Sequence, residues 1–544
     1  MNQFFFLSIP FILTLLFSFL PTKLWFDYLD QTIVISVTLF FFSFHALTFI
    51  FQRPLANTLS SFENVLNRNR TLVLLGFFLF MLCFPFRNLN WGDGIILLET
   101  NLLETELFGS QIAMDEILET ISHSLAFRIL SIWNFDDDNR YAYQIVSFLS
   151  GAIFLAFLGW KLNSGPQKRT NLFESILFLG SSGFLVFFGY AENYSILSLF
   201  IFLFIFYVRQ WIQTDLSPNV LLINSTLLVT LGIYLHLVSG FLIISLFYLW
   251  IEFSPKNKRW NDLIKCSFIG GIILLLGFCY LLFLHDPTLD RKSSHLLHPP
   301  IYPWKRLISL NHLTEITAVM WYNSRVPLLI LAYFYFFERS ILKSFFQKKE
   351  NKFILSVIVS FLVNGFIINP MLGFPSDWDM IGFYWIPFAF LGYHLLTEHR
   401  FLIIKFASVL LFTFTIQILQ ARHLNYLDEA KNKEVLLTQK IVHEYVSENR
   451  IKISGLPRTE KKFYAKTDFF FYKSIQISRR ICEFTGKNEL INTLQALQKE
   501  FQEGTDTGKL NDKIWIKDFL TKATITNTAY IKSLKEYNLC HLEL

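Results

Sequence analysis

Cysteine is scarce in this chain, five residues in 544, too few for a disulfide framework. Charge is scarce as well. Asp, Glu, Lys and Arg together make 17% of the residues, with a formal net charge of +6, so neither disorder nor a long coiled coil fits. No Walker loop, Gly-x-Gly-x-x-Gly, Gly-x-Ser-x-Gly, Cys-x-x-Cys or His-Glu-x-x-His occurs. Nucleotide hydrolysis, dinucleotide binding and zinc proteolysis therefore have no support, and no nucleic-acid partner is expected. What fills the chain is apolar: 53% hydrophobic and 18% aromatic residues, with 63 Phe gathered mostly in long blocks. A soluble domain cannot hide that much apolar surface.

Apolar runs of about 18 residues or more read as spanning helices. About thirteen such runs are expected, at 3–21, 31–51, 71–86, 141–160, 171–189, 192–211, 219–236, 238–253, 263–285, 323–338, 353–370, 381–397 and 401–420. Strands of alternating polarity are missing, so these are helices and not a barrel. The first block, Phe4 to Leu20, has no basic leader and no small-residue cleavage motif, which predicts a retained helix. The fold expected is an all-α polytopic membrane protein. Residues 1–420 form its membrane domain, with long outer loops at 87–140 and 286–322.

Orientation follows from the basic residues. With the N-terminus cytoplasmic, about sixteen Lys and Arg fall in inner loops against about eight in outer ones. An odd number of spans then puts the tail, 421–544, outside. The tail is Lys- and Glu-rich, with helical periodicity at Asn425–Val446 and Leu490–Phe501. It reads as a small helical soluble domain. Its Cys482 and Cys540 are compatible with a disulfide or with two buried thiols.

Ionisable groups beside a membrane core are expensive, so their positions carry the functional signal. Most fall on the side predicted to be outer. Asp93 sits between two glycines just after the third span, in a turn that ends a helix or aims a carboxylate back at the membrane. Farther along, Ile117, Leu118, Ile121 and Leu125 form one stripe of a predicted helix, and Glu116, Glu119 and His123 another. This is the pattern of a helix lying in the interface plane, its acidic face turned to a cavity or to water. Glu119 and His123 stand at i, i+4 with no third ligand nearby, so no cofactor is required, although a divalent ion stays open.

Glu192 begins a spanning helix beside Asn193 and Tyr194, where a carboxylate suits either the helix dipole or a sugar or head-group contact. His236 closes a tight two-helix turn, and His312 opens His-Leu-Thr-Glu; each suits a structural or a binding role. Asp377, Trp378 and Asp379 form an Asp-Trp-Asp in an outer turn, fit for stacking on a sugar and bonding its hydroxyls, or for capping a helix. Lys305 and Arg306 are the main basic pair at the outer membrane level, suited to a lipid phosphate.

This layout resembles the integral-membrane glycosyltransferases of the GT-C fold. Asp93 stands where that family carries an acid early in its first long outer loop, and Met114–Ser124 looks like its interfacial helix. Two departures stand beside the likeness. The long loop follows the third span and not the first, and Asp93 is some twenty residues from Asp115 and Glu116. The resemblance implies inverting sugar transfer from a polyprenyl-phosphate donor to a lipid, glycan or protein acceptor, at the outer face of a bacterial plasma membrane. Asp93, or Glu116 after it, would be the base. Lys305 and Arg306 would hold the phosphate, and Glu192, Tyr194, His236, His312, Asp377, Trp378 and Asp379 would contact sugar or acceptor. Two other functions fit a chain of this kind: a transporter or flippase of lipid-linked glycans, and a non-enzymatic assembly protein acting through its tail.

Overall fold

The computed structural model describes residues 3–19, 31–51, 61, 65, 68–86, 116–133, 140–161, 177–284, 301–302, 304–368, 379–399 and 405–419. Every regular element among them is a helix. The chain divides into two compact units. One comprises Met1–Asp286, Lys305–Ile367 and Phe374–Glu434; the other comprises Pro287–Trp304, Ile368–Gly373 and Val435–Leu544. In the second unit the described residues are Ile301, Tyr302, Trp304 and Ile368, with an isolated antiparallel bridge from Ile301 to Ile368. The expected soluble domain, 421–544, lies outside the described residues.

The first unit is a bundle. In chain order its helices are α1 (Gln3–Leu7), α2 (Ile9–Phe19), α3 (Gln31–Ile50), α4 (Arg70–Cys83), α5 (Ile117–Ser131), α6 (Arg140–Ala156) and α7 (Ser195–Gln213). Then come α8 (Pro218–Leu235), α9 (Ile243–Phe253), α10 (Arg259–Leu284), α11 (Leu310–Phe337), α12 (Arg339–Phe345), α13 (Lys349–Ile367), α14 (Trp385–Glu398) and α15 (Lys405–Leu419). Six stretches among the described residues are long and apolar enough to cross a membrane: Ile33–Ile50, Arg140–Gly159, Ser195–Gln213, Pro218–Leu235, Arg259–Tyr280 and Lys349–Ile367. Apolar side chains cover the outside as well as the inside. On α10, Phe268, Leu276 and Phe283 are exposed, Phe283 to 87%. Helices this apolar and this bare are those of a membrane protein.

Three expected spans take a different form. The run 171–189 is no continuous α-helix where it is described: a 3-10 helix occupies Ser182–Phe187, and the backbone stays irregular to Tyr194. Non-helical backbone at membrane depth must find partners inside the protein, and here it does. Ser147 of α6 donates its hydroxyl to the Val186 carbonyl (2.6 Å) and accepts the Gly189 N–H (2.9 Å). The Phe86 N–H donates to the Phe188 carbonyl (2.7 Å). Gly189 has φ +75°, and a Cβ there would stand 2.6 Å from the Phe148 ring, so glycine is required on both counts.

The run 323–338 is the second half of a longer helix. α11 starts at Leu310, where the Ser309 hydroxyl accepts the His312 N–H, and it kinks at Ser324 (φ −129°, ψ 20°). Pro327 explains the kink. It has no N–H for the carbonyl of Asn323, four residues back, and the Ser181 hydroxyl donates to that carbonyl instead (2.7 Å). The polar first half, Leu310 to Asn323, hides the helix from a hydropathy reading. Third, the run 381–397 opens with a 3-10 turn, Asp379–Tyr384, before α14. The two 3-10 segments pack directly, because Gly183 lets the Gly382 carbonyl and the Trp385 ring lie where a Cβ would be. Phe154, Phe178, Phe184, Phe202 and Trp385 close the core around this contact, Phe154 and Phe202 with ring centroids 4.4 Å apart.

Candidate functional site

Helix α5 buries polar and apolar side chains together, Ile117, Ala126, Phe127 and Leu130 among the latter. Glu119, His123 and Ser124 are buried, while Leu125, Ile129, Ile132 and Trp133, in α5 and just beyond it, are exposed. A helix in water would turn the other way. The expected stripe of Glu116, Glu119 and His123 exists, but it faces the bundle and is not a solvated surface. The helix runs Ile117–Ser131, later than the expected Met114–Ser124.

Three elements meet at the start of α5. Glu116 is the N-cap residue, yet its side chain makes no capping bond to its own helix. Its carboxylate turns to two partners instead. The Asn193 side-chain amide, just before α7, donates to Oε2 at 2.5 Å. His236, between α8 and a 3-10 turn at Leu237–Leu242, places Nε2 3.2 Å from Oε1. The tautomer follows from the other ring nitrogen. Nδ1 of His236 accepts the Val238 N–H (3.1 Å), so the ring proton sits on Nε2 and points at Glu116. His236 can do this because its extended backbone (φ −161°, ψ 134°) breaks the chain between the two helices. Glu116 Oε2 thus accepts the Asn193 amide and Oε1 lies beside His236 Nε2, and the side chain remains 16% exposed. Hydrogen bonds to a charged group are worth about 1.5–3 kcal/mol each.

One turn deeper lies a second acid. Glu119 and His123 are both fully buried, with Glu119 Oε2 and His123 Nε2 3.5 Å apart. Glu119 Oε1 accepts the Leu197 N–H (2.9 Å) in the first turn of α7. Burial pushes the Glu119 carboxyl well above the usual carboxylate range; the Leu197 amide pulls it back and Glu116 adds to the push. Burial also drives the His123 imidazole down to about 3. Both shifts favour the uncharged forms. The His123 ring lies over Tyr143 of α6, with centroids 4.1 Å apart.

Of the residues singled out from sequence, Glu116, Glu192, Tyr194 and His236 come to this end of the bundle. Glu192 is buried, with the Asn193 N–H 3.4 Å from its Oε2. The Tyr194 ring faces His236 (5.3 Å) and Phe383 (6.5 Å). Through Phe383, the 3-10 segment that begins at Asp379 reaches the same place. His312 is built into a helix contact: its Nε2 lies 2.8 Å from the Phe366 carbonyl on α13. Lys305 is exposed. Asp93, Asp377 and Trp378, and the side chains of Arg306 and Asp379, lie outside the described residues. Among the described residues, no group of three or more His, Cys, Asp or Glu could hold a metal ion.

Asn193, Glu119 and His123 were noticed in the sequence without being counted as site residues. The signal that sets Glu119 apart from its stripe is a helix start at α7 that has Tyr194, not Ser, Thr, Asp or Asn, at its N-cap. Searches against family models, curated proteins and solved structures find no match for this chain.

Proposed function

We propose that the chain is a multi-pass membrane glycosyltransferase that moves a sugar from a polyprenyl-phosphate donor to a lipid, glycan or protein acceptor. The supporting observation is Glu116: a partly exposed carboxylate, fixed by Asn193 and His236 from two other parts of the chain. Its side chain is 16% exposed, so a sugar or acceptor hydroxyl can approach a carboxylate whose direction is already set. In this reading Glu116 orients the acceptor hydroxyl and Asp93 removes its proton. The bond to the anomeric carbon forms as the bond to phosphate breaks, and Lys305 and Arg306 take up the phosphate charge. Tyr194 offers a ring face for the sugar, and His236 acts through Glu116. The reading includes about thirteen spans, a cytoplasmic N-terminus, the site at the outer face of the plasma membrane and an outer tail from 421.

The test is transfer of a labelled sugar from a lipid-phosphate donor in membranes, comparing Glu116→Gln and Asp93→Asn with Glu252→Gln. Glu252 pairs with Lys349, and its side chain is 30% exposed. Loss in the first two with the third unchanged supports the proposal. Equal activity in all three removes both acids from the chemistry.

A second reading draws on a different observation. Broken backbone at 182–194, the kink at Ser324 and the buried Arg325 beside it are features of transporters, whose interrupted helices line substrate sites. A flippase of lipid-linked glycans would translocate its substrate in sealed vesicles with no sugar transferred. Transfer without translocation would exclude it.

A further inference from the structure

Glu119 lies one helical turn after Glu116, and the two acids have opposite surroundings. Glu116 is partly exposed and accepts two side-chain donors. Glu119 is sealed from solvent, forms no pair with any Lys or Arg among the described residues, and accepts a backbone N–H. That N–H belongs to Leu197, the third residue of α7, whose first turn has no carbonyl partners of its own. The N-cap residue of α7, Tyr194, makes no side-chain capping bond. Glu119 therefore caps α7 from the neighbouring helix.

We propose that Glu119 is an uncharged positioning residue: it joins the first turn of α5 to the first turn of α7 and so holds Glu116 between Asn193 and His236. Asn193 lies two residues before α7 and Glu116 immediately precedes α5, so a bond between those two first turns fixes the contact above it. The cap needs only a carbonyl-type oxygen. An ionised carboxylate at this depth, with no cation to offset it, would carry a large desolvation cost. Among the described residues, the titratable groups around it are His123 at 3.5 Å, Glu116 one turn before, and Tyr143 behind the His123 ring. None of them supplies a positive charge there, since His123 is neutral at any ordinary pH. The direction of the Glu119 shift agrees. The inference rests on Glu116 being the working carboxylate, but its core is testable without any activity.

The experiment compares the full-length protein with its Glu119→Gln, Glu119→Leu and Glu116→Gln variants in detergent or lipid discs. Infrared spectra at neutral pH should show the carbonyl band of a protonated carboxyl in wild type and in Glu116→Gln. The band should be missing in Glu119→Gln. Hydrogen exchange at the Leu197 amide should match wild type in Glu119→Gln, which keeps an acceptor oxygen. In Glu119→Leu it should be about three- to tenfold faster, the loss of one hydrogen bond. Sugar transfer should survive Glu119→Gln and fall in Glu116→Gln. No protonated band in wild type overturns the uncharged state. Transfer lost in Glu119→Gln with Leu197 still protected overturns the positioning role, because Glu119 would then be acting chemically. If no variant or wild type transfers sugar, the infrared and exchange results still decide the inference, and only the glycosyltransferase reading fails. Should Glu119→Leu fail to fold, Glu119→Gln alone carries both spectroscopic outcomes.

Discussion

The two ends of α7 solve the same problem in opposite ways. Around its start, Glu116, Glu119, His123, Glu192, Asn193 and His236 are packed into the protein, with side-chain exposures of 0% for Glu119 and His123 and 9% for His236. Around its end, Lys348 pairs with Glu398 (2.7 Å) and Lys349 with Glu252 (3.2 Å), both at the surface, with Lys349 also over the Phe253 ring. Surface pairs cost little and contribute little, about 0–1 kcal/mol. Buried polar clusters cost desolvation and give a poor return in stability, so a site of some use is the better account of them. The difference lies in the acids: Glu119 and Glu192 are buried at the start, whereas Glu398 and Glu252 stay 30% exposed at the end, although His394 and Asn351 are buried there too.

The largest effect that would sharpen this contrast is on transfer. Glu116→Gln should lower it by about 10²–10⁴-fold, the range for losing a positioned catalytic carboxylate. Glu398→Gln, at the other end, should stay within about twofold, in keeping with the small worth of an exposed pair. Both are read in membranes at equal protein level. Next comes the broken segment that carries Asn193 to Glu116. Gly189→Ala forces a positive φ on a residue with a Cβ and drives that Cβ into the Phe148 ring. A loss of about 2–4 kcal/mol in unfolding free energy is expected from strain and overpacking together, measured by denaturant titration in detergent. Ser147→Ala removes the hydroxyl that serves Val186 and Gly189, and should cost about 1–3 kcal/mol because the Gly189 N–H is left buried without it.

Proton linkage gives a smaller, signed effect. Glu119 binds its proton more tightly folded than unfolded, so it contributes stability below the ordinary carboxylate value and loses it as pH rises toward its folded value. His123 runs the other way. Its folded value of about 3 against 6.5 means stability is gained as pH rises through that interval. The two slopes oppose each other above the ordinary carboxylate value, and the His123 contribution ends at pH 6.5; an uncharged Glu119 at neutral pH, as proposed, keeps its slope beyond it. Glu119→Gln should therefore unfold with a flatter dependence than wild type above pH 6.5. An identical slope in both would mean that Glu119 is already ionised. The smallest effect belongs to the far end: Lys348→Ala should change stability by less than about 1 kcal/mol, and less still in high salt.

Much of this was legible in the residues. The tight pair around His236 is there as two helices with His236 at the break, and Glu116, Asn193, Tyr194 and His236, distant in sequence, come together. Other features were not, for physical reasons. Periodicity shows that Glu116, Glu119 and His123 share a face, but not that this face is packed against the bundle. The run 171–189 is apolar throughout, so hydropathy reads it as a helix. Its 3-10 form depends on Ser147, Phe86 and Ser181, and two of these lie more than thirty residues away. The first half of α11 is polar enough to look like a loop, and its kink needs Pro327 and Ser181 together.

The central claim is that Glu116 and His236 act as one unit, and a double-mutant cycle on sugar transfer tests it most directly. Glu116→Gln, His236→Ala and the double variant would be measured beside wild type in the same membranes. Groups that work together are strongly non-additive. The account predicts that the double variant is no slower than Glu116→Gln alone, because His236 acts through that carboxylate. Losses that multiply, each substitution exerting its full effect in the presence of the other, would contradict it.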